Sequence, residues 1–410
     1  MMRKATILIA LLLLPLSLFS ISVNGNEIEN PFPSRENLEA FGFERQSDIF
    51  RGIEVNLITT ETGKEIYSYF GHTSLEVLIP GYRPVFYDYG YFSFSEGFYR
   101  NFLFGRLFYN VYASDGDLRL KGFEAEDRSV HRTPIDLSEE ALSAIFSYLQ
   151  YNTRSENNTY LYDYYLDNCA TRVRDIYDEA TGGSFKTWAE NIKTGSTLRR
   201  AANTYLDKNP VVSFTLNYLE GPSIDRPSTL YDECFLPLTL MKAIEEYEEV
   251  ESQTIRASKS LTEYRSLSLN TWTLIFSIAF YFISMLLYAS KRRWLCRLSD
   301  ILNAILYLYL ALLSAVLLFM MSATNHSVTY FNANLLYANP LIIIMAAEAL
   351  RGKKEGKRYV FSLVSITILA IGFSMKAIFP EIFIQEDLPV LTLMGSVYLI
   401  NISRHFLNEK

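Results

Sequence analysis

Apolar residues along the chain follow three spacings, and each predicts a different kind of element. The first is a spacing of two. Ile53, Val55 and Leu57 alternate with Glu54 and Asn56, and Leu75, Val77 and Ile79 repeat the pattern, which predicts half-buried strands over 53–59 and 73–79. Residues 84–88 are rich in strand formers, and Gly81-Tyr82-Arg83 before them predicts a hairpin turn. Residues 107–112 and 129–135 read as further strands. After Ser138 the spacing becomes helical, with Leu142, Ile145, Phe146 and Leu149 on one face and Ser138 as the cap. A second helix is predicted after Asp167-Asn168, running from Cys169 to Ala180 before the Gly182-Gly183 stop. Residues 26–250 thus read as one mixed α+β domain, long enough to bury a sizeable core. Residues 251–270 read as a linker, and no internal repeat appears.

The third spacing is none at all. Continuous apolar runs at 272–290, 301–321, 335–350, 359–379 and 388–402 predict an all-α membrane domain of about five helices over 271–410. A crossing needs about 20 mostly apolar residues, so the third run, interrupted by Asn339-Pro340, and the short fifth fit less well. The connections alternate in charge. Lys291, Arg292, Arg293 and Arg297 follow the first run and Arg351, Lys353, Lys354, Lys357 and Arg358 the third, whereas 322–334 holds no Lys or Arg. The connection at 380–388 carries Glu381, Glu386 and Asp387 instead. Excess Lys and Arg mark the cytoplasmic side, which leaves everything before Trp272 outside the cytoplasm. The N-terminus agrees: Arg3 and Lys4, an apolar stretch over 5–19 and small residues near Val23-Asn24-Gly25 predict a signal peptide at 1–25, with an uncleaved anchor as the alternative.

Composition refines this picture at two points. The 410 residues carry 45 acidic and 38 basic side chains, a formal net charge of -7, so the basic face that nucleic-acid binding requires is lacking. Aromatics reach 15%, with 29 Tyr and 28 Phe. Phe92, Phe94, Phe98, Tyr99, Phe102, Phe104 and Phe108 crowd one stretch, where they either line an apolar groove or pack as ordinary core.

The candidate chemistry begins with the cysteines. An oxidising compartment favours paired thiols, and the count allows a disulfide between Cys169 and Cys234; Cys296 lies in the basic connection. Cys169, however, stands where a helix should begin. Free amide groups and the positive end of the helix dipole lower a thiol's pKa there, and Arg172 and Arg174 add positive potential. A buried, inert helix cysteine is the plainer reading. Cys234, within Cys234-Phe235-Leu236-Pro237-Leu238, reads as packing. A nucleophilic thiol needs a base, and the domain offers His72 and His131. His72 follows Gly71 at the start of a strand, a rigid platform, whereas His131 sits mid-strand and reads as structural. Asp88 on the neighbouring predicted strand is the candidate to orient His72, with a solvated Asp beside a turn as the alternative. Zinc spacings, phosphate loops and GxSxG elbows do not occur.

Three segments carry a resemblance: Tyr67-Ser68-Tyr69-Phe70-Gly71-His72-Thr73, Tyr87-Asp88-Tyr89-Gly90 and Asp167-Asn168-Cys169-Ala170-Thr171-Arg172-Val173-Arg174-Asp175. Together with Glu233-Cys234-Phe235-Leu236-Pro237 and the later spans, they resemble the Lnb family of Bacteroidota, named for lipoprotein N-acyltransferase activity. The resemblance implies a bacterial inner-membrane protein whose periplasmic domain has a permuted papain-like (NlpC-type) thiol core. It assigns Cys169 the nucleophile role and His72 the base, and it argues against a Cys169–Cys234 disulfide. The third residue is less certain in the family, so Asp88 stays a reading of strand adjacency. The implied reaction moves an acyl chain from a membrane phospholipid, through a Cys169 thioester, to the α-amine of a diacylated lipoprotein, with no cofactor and no metal. The Cys169 amide would then form an oxyanion hole, with Ser68, Tyr67, Asn168 and Arg172 as substrate-binding candidates. Two other readings stay open: a thiol hydrolase acting on a lipid ester or cell-wall amide, and a non-catalytic periplasmic assembly module.

Overall fold

The computed structural model describes residues 52–92, 97–260, 266–352 and 356–409. The expected signal peptide at 1–25 and Phe94 lie outside the described residues. The chain divides into two compact units, Met1–Leu198 with Pro227–Glu263 and Arg199–Arg226 with Tyr264–Lys410. The hydropathy pattern groups 26–250 together, yet 199–226 clusters with the apolar helices that follow. The segment is too short to stand out as a span, but Phe214, Tyr218 and Leu219 share a core with Leu269, Leu310 and Leu317.

The first unit is built on a seven-stranded sheet of order β6-β4-β3-β2-β1-β5-β9. Its strands are β1 (Glu54–Thr60), β2 (His72–Leu78), β3 (Val85–Tyr91), β4 (Phe108–Asp115), β5 (Val130–Ile135), β6 (Thr159–Leu161) and β9 (Gln253–Arg256), and all neighbours are antiparallel. A separate ribbon pairs β7 (Lys193–Thr197) with β8 (Pro227–Thr229). The longer helices of this unit are α1 (Phe98–Leu103), α2 (Gly116–Ala125), α3 (Glu139–Asn152), α4 (Cys169–Ala180), α5 (Ser184–Glu190) and, later in the chain, α8 (Pro237–Glu248).

The alternation predicted strands buried on one face. Instead, β1 is buried at every position after Glu54, because both faces of the sheet are covered. On one face Val55, Leu57, Leu75 and Val77 pack with Leu142, Ile145, Val173 and Leu240 from α3, α4 and α8. On the other, Ile58, Phe86 and Val130 pack with Phe123 of α2. Each large apolar side chain so buried contributes roughly 1.5–3 kcal/mol, which makes the centre of the sheet the stiff part of the unit. The predicted caps form as well: Ser138 Oγ accepts from the Ala141 amide at 3.2 Å.

The second unit begins with α6 (Leu198–Leu206) and α7 (Pro210–Leu219) and continues through α9 (Leu269–Ala289), α10 (Arg293–Ala323), α11 (Asn334–Tyr337), α12 (Ile342–Arg351), α13 (Gly356–Ile378) and α14 (Leu388–Glu409). Among the described residues four helices, α9, α10, α13 and α14, are long and apolar enough to cross a membrane. The third of the five expected spans is broken into α11 and α12 around Ala338-Asn339-Pro340. Proline supplies no amide and disfavours helical geometry at the residue before it. The carbonyls freed by the break are satisfied from neighbouring helices. Tyr398 donates to the Tyr337 carbonyl at 2.5 Å, and Tyr218 and Ser314 both donate to that of Ala338. Non-helical backbone at membrane depth is tolerated where protein groups satisfy it in this way.

Candidate active site

Gly71 leads into β2 with φ +83°, and a Cβ at that position would sit 2.6 Å from the Thr60 carbonyl oxygen, so only glycine fits. His72 therefore opens β2 in a fixed pose. Across the β2–β3 ladder Ser74 lies opposite Asp88, which makes His72 the diagonal neighbour of Asp88 on the same face. His72 Nε2 is 2.7 Å from Asp88 Oδ1. Asp88 is wholly buried and collects further donors: Ser74 Oγ at 2.6 Å, Arg119 Nε at 3.0 Å and Ser114 Oγ at 3.3 Å. Arg119 comes from α2 and lies over the Phe123 ring, its guanidinium carbon 4.3 Å from the centroid. Burial opposes ionisation of Asp88, but the Arg119 charge and the His72 hydrogen bond outweigh it and hold the carboxyl well below the usual range.

Cys169 is the first residue of α4. Asn168 Oδ1 accepts from the amides of Ala170 at 2.8 Å and Thr171 at 2.9 Å, while Thr171 Oγ1 accepts from the Asn168 amide at 2.7 Å, a reciprocal capping box. Asn168 Nδ2 in turn donates to the carbonyls of Tyr164 and Phe235. The helix start is thereby tied to two loops. The Cys169 sulfur hydrogen-bonds to His72 and accepts from the Thr73 amide. With Nε2 engaged by Asp88, Nδ1 is the ring nitrogen left for the thiol. Burial disfavours the thiolate, but the His72 charge, the His72 hydrogen bond and the Thr73 amide outweigh it, so the thiol pKa falls. The reciprocal effect acts on His72: burial would lower its pKa, but the Cys169 charge and the Asp88 hydrogen bond raise it to about 9. Each group stabilises the charged form of the other. The arrangement is a thiol of lowered pKa and an imidazole of raised pKa, with a carboxylate behind them.

This pair opens on a cleft of about 60 Å³ lined by Tyr67, Phe70, Tyr89, Tyr109, Tyr162 and Phe235 among others. Gly90, with φ +103°, also lines it, at the bulge where the β3–β4 register shifts between Tyr89 and Tyr91. The Tyr109 and Tyr162 rings lie 4.4 Å apart. The Tyr109 hydroxyl is buried with no hydrogen-bond partner among the described residues. Burial first, and then the Cys169 charge, raise the Tyr162 pKa, so that hydroxyl stays protonated beside Cys169.

The predicted residues separate on this geometry. Cys169, His72 and Asp88 are brought together. Tyr67 lines the cleft, and Asn168 lines it too, with its amide group engaged in the cap and the two loop carbonyls. Ser68 and Arg172 do not reach it. Ser68 Oγ donates to the Glu65 carbonyl at 2.8 Å, closing its own turn. Arg172 forks onto Asp167, with Nη2–Oδ2 2.7 Å, and covers the Tyr160 ring. Arg174 is engaged by Asp175 and the Tyr231 carbonyl. The positive potential at Cys169 thus comes from His72 and not from the arginines. Cys169 and Cys234 are both free thiols; Cys234 is fully buried, and burial pushes its pKa up to about 12. His131 is structural, held by Glu61 at 2.8 Å and Thr254 at 3.1 Å. Phe92, Phe98 and Phe102 form a buried cluster with Leu107 and Tyr109, so these three are core behind the cleft, while Tyr99 and Phe108 are exposed. Arg119, Tyr109 and Tyr162 were not singled out from the sequence. For Arg119 the sole sequence cue is local: Asp115 caps the helix that carries it.

An α+β domain that brings a cysteine, a histidine and an aspartate together, followed by a helical membrane region, defines a class: membrane proteins with a Cys–His–Asp cluster in an appended α+β domain. The sequence comparisons narrow the class. Residues 43–204 match the model of the Lnb N-terminal periplasmic domain and 265–408 that of the Lnb transmembrane domain. The chain belongs to the Lnb family and is a membrane protein with a periplasmic domain. No curated protein and no solved structure matches it.

Proposed function

We propose that this protein is a lipoprotein N-acyltransferase of the inner membrane, working through a Cys169 thioester. The observation that carries the reading is the Cys169–His72–Asp88 line, with a depressed thiol and a raised imidazole, in the periplasmic domain of an Lnb-family chain. In the first half-reaction the Cys169 thiolate attacks the acyl carbonyl of a membrane phospholipid. The tetrahedral intermediate collapses by breaking the ester C–O bond, and the His72 imidazolium gives its proton to the leaving oxygen, releasing a lysophospholipid. In the second, the neutral α-amine of a diacylglyceryl-cysteine attacks the thioester carbonyl, His72 takes the proton lost by nitrogen, and the thiolate leaves. The starting ion pair is regenerated.

The amides of Ala170 and Thr171 are taken by the Asn168 cap, which leaves the Cys169 amide as the backbone donor for the oxyanion. Asp88, fixed by Arg119 and Ser74, orients the imidazole and keeps Nε2 protonated. The strand-borne histidine preceding a helix-borne cysteine supports a permuted papain-like reading of the domain. Anchoring favours membrane-borne substrates, because donor and acceptor then meet in two dimensions.

The test is mass spectrometry of lipoprotein N-termini from cells lacking the gene, complemented with wild type or with Cys169→Ser. Diacylated termini in the deletion and in the Cys169→Ser strain, and triacylated termini with wild type, are expected. Triacylated termini in all three strains refute the assignment. Free fatty acid released in vitro without transfer to a lipopeptide amine points instead to hydrolysis.

A further inference from the structure

The second unit carries an open cavity of about 700 Å³, within the range of small-molecule sites. It lies where the first turn of α9 (Leu269), the last turns of α13 (Phe373, Lys376) and the start of α14 (Asp387, Leu388) meet the polar helix α6 (Arg200). The connection at 380–388 holds no Lys or Arg, which assigns these helix ends to the side away from the cytoplasm.

The lining carries both signs of charge. Arg199, Arg200 and Lys376 are the cations; Asp207, Glu386 and Asp387 are the anions. Lys376 bonds Asp387 at 2.6 Å. Arg200 Nε meets Glu386 Oε1 at 2.9 Å, and these two side chains stay 60% and 27% exposed. Their frame, by contrast, is rigid. The neighbouring Arg199, 1% exposed, is held by Asp225 at 2.6 Å and by the carbonyls of Asn217, Glu220 and Gly221. Asp225 Oδ2 then accepts from the Glu386 amide at 3.1 Å. One buried arginine thus fixes the backbone from which the exposed pair projects. An exposed pair of this kind is worth about 1 kcal/mol at most, so a ligand bearing both charges can take its place at little cost. Below the charges, Phe373 and Leu388, 62% and 51% exposed, continue the wall as apolar surface.

We infer that this cavity binds the headgroup of a zwitterionic aminophospholipid, its phosphate on the Arg200 guanidinium and its ammonium on the Glu386 carboxylate, with the acyl chains running down past Phe373 and Leu388. A guanidinium presents paired N–H groups to phosphate oxygens. A purely anionic headgroup would satisfy Arg200 but leave the displaced Glu386 carboxylate without a cation. The inference goes beyond the transfer reading, because it rests on the membrane unit alone and uses no residue of the Cys169 cleft.

The experiment is lipid retention by the full chain, purified in detergent, exchanged against equal phosphatidylethanolamine and phosphatidylglycerol and read by native mass spectrometry. Wild type and Cys169→Ser are expected to retain the aminophospholipid with a preference of about fivefold, the size one screened ion pair confers. Glu386→Gln should erase the preference while keeping total lipid, and Arg200→Gln should lower retention of both lipids, with thermal unfolding unchanged in each. Inorganic phosphate at matched ionic strength should displace nothing. Equal retention of the two lipids by wild type, a preference that survives Glu386→Gln, or displacement by phosphate overturns the inference. Loss of N-acylation with the preference intact would instead tell against the transfer reading only.

Discussion

Among the carboxylates buried with arginine in this protein, Asp88 and Asp300 are used differently. Asp88, in the sheet, is shared by Arg119 and His72. Asp300, on α10, is shared by Arg404 of α14 at 2.9 Å and Arg358 of α13 at 3.4 Å. Both Arg119 and Arg404 are almost without exposure. The difference lies in the second partner. Asp300 faces two guanidiniums, neither of which gives up a proton at any ordinary pH, and Arg404 goes on to Ser284 and Ser299 on α9 and α10. That network joins four helices and moves no charge. Asp88 faces one guanidinium and one imidazole, and the far side of the imidazole faces a thiol. A buried carboxylate becomes part of a reactive site when its partner has a proton to pass on; otherwise it is a tie.

Exchanging each acid for its amide tests this division. Asp88→Asn removes the charge that orients and supports the imidazolium, and turnover per folded molecule should fall about 10⁴-fold, the scale seen when the third residue of such a line is lost. Asp300→Asn leaves two buried guanidiniums without their anion and should cost roughly 3–5 kcal/mol of stability, measured by thermal unfolding in detergent, with turnover of the folded fraction unchanged. A folded Asp300→Asn protein that has lost turnover would erase the distinction.

Titration sharpens it further. The folded pKa of His72 is raised to about 9, above the ordinary value of about 6.5. Its contribution to stability is therefore complete below pH ~6.5 and is lost as pH climbs through about 9. Turnover should fall over the same upper limb, as the imidazolium that protonates the leaving group disappears. The largest raising influence on His72 is Cys169, so in Cys169→Ser the loss of stability should begin at lower pH. Unfolding temperatures of both proteins from pH 6 to 10 check the shift. Superimposable profiles would mean that the thiol and imidazole are not coupled. Asp300→Asn, which touches neither His72 nor Cys169, should leave the shape of the profile unchanged.

How much of this was legible in the chain follows from distance along it. The start of α4 at Cys169 and its Asn168 cap depend on adjacent residues, and they read directly from the sequence. His72 and Asp88 meet through a hairpin, whose alternation already pairs their strands. Arg119 is a different matter. It reaches Asp88 only because α2 folds back over the second face of the sheet, and a strand pattern of inward and outward residues does not reveal that both faces are covered. Ser68 and Arg172 went the other way: their proximity along the chain to His72 and Cys169 suggested a shared site, yet local partners, the Glu65 carbonyl and Asp167, hold them. In the membrane unit, Asn339-Pro340 marked a weak span; of the hydroxyls that make its break tolerable, Ser314 lies in an expected span and Tyr218 in the 199–226 segment that hydropathy misses.

The smallest expected effect concerns Tyr109, a residue the sequence did not mark. Its hydroxyl lines the cleft, is buried and has no partner among the described residues. A buried, unpaired hydroxyl costs about 1–3 kcal/mol, so Tyr109→Phe should leave stability unchanged or slightly higher. If that cost is carried for chemistry, the hydroxyl gives the developing oxyanion a second donor beside the Cys169 amide, and kcat should drop about 10²-fold with KM little changed. The split matters: a packing role would show in unfolding temperature, a binding role in KM, and a transition-state donor in kcat alone. An unaltered kcat with a raised unfolding temperature would assign the hydroxyl no part in the reaction and leave the oxyanion to the backbone. Phe is the appropriate replacement because the Tyr109 ring packs against Phe92 and Tyr162, and the substitution removes the oxygen while keeping that packing.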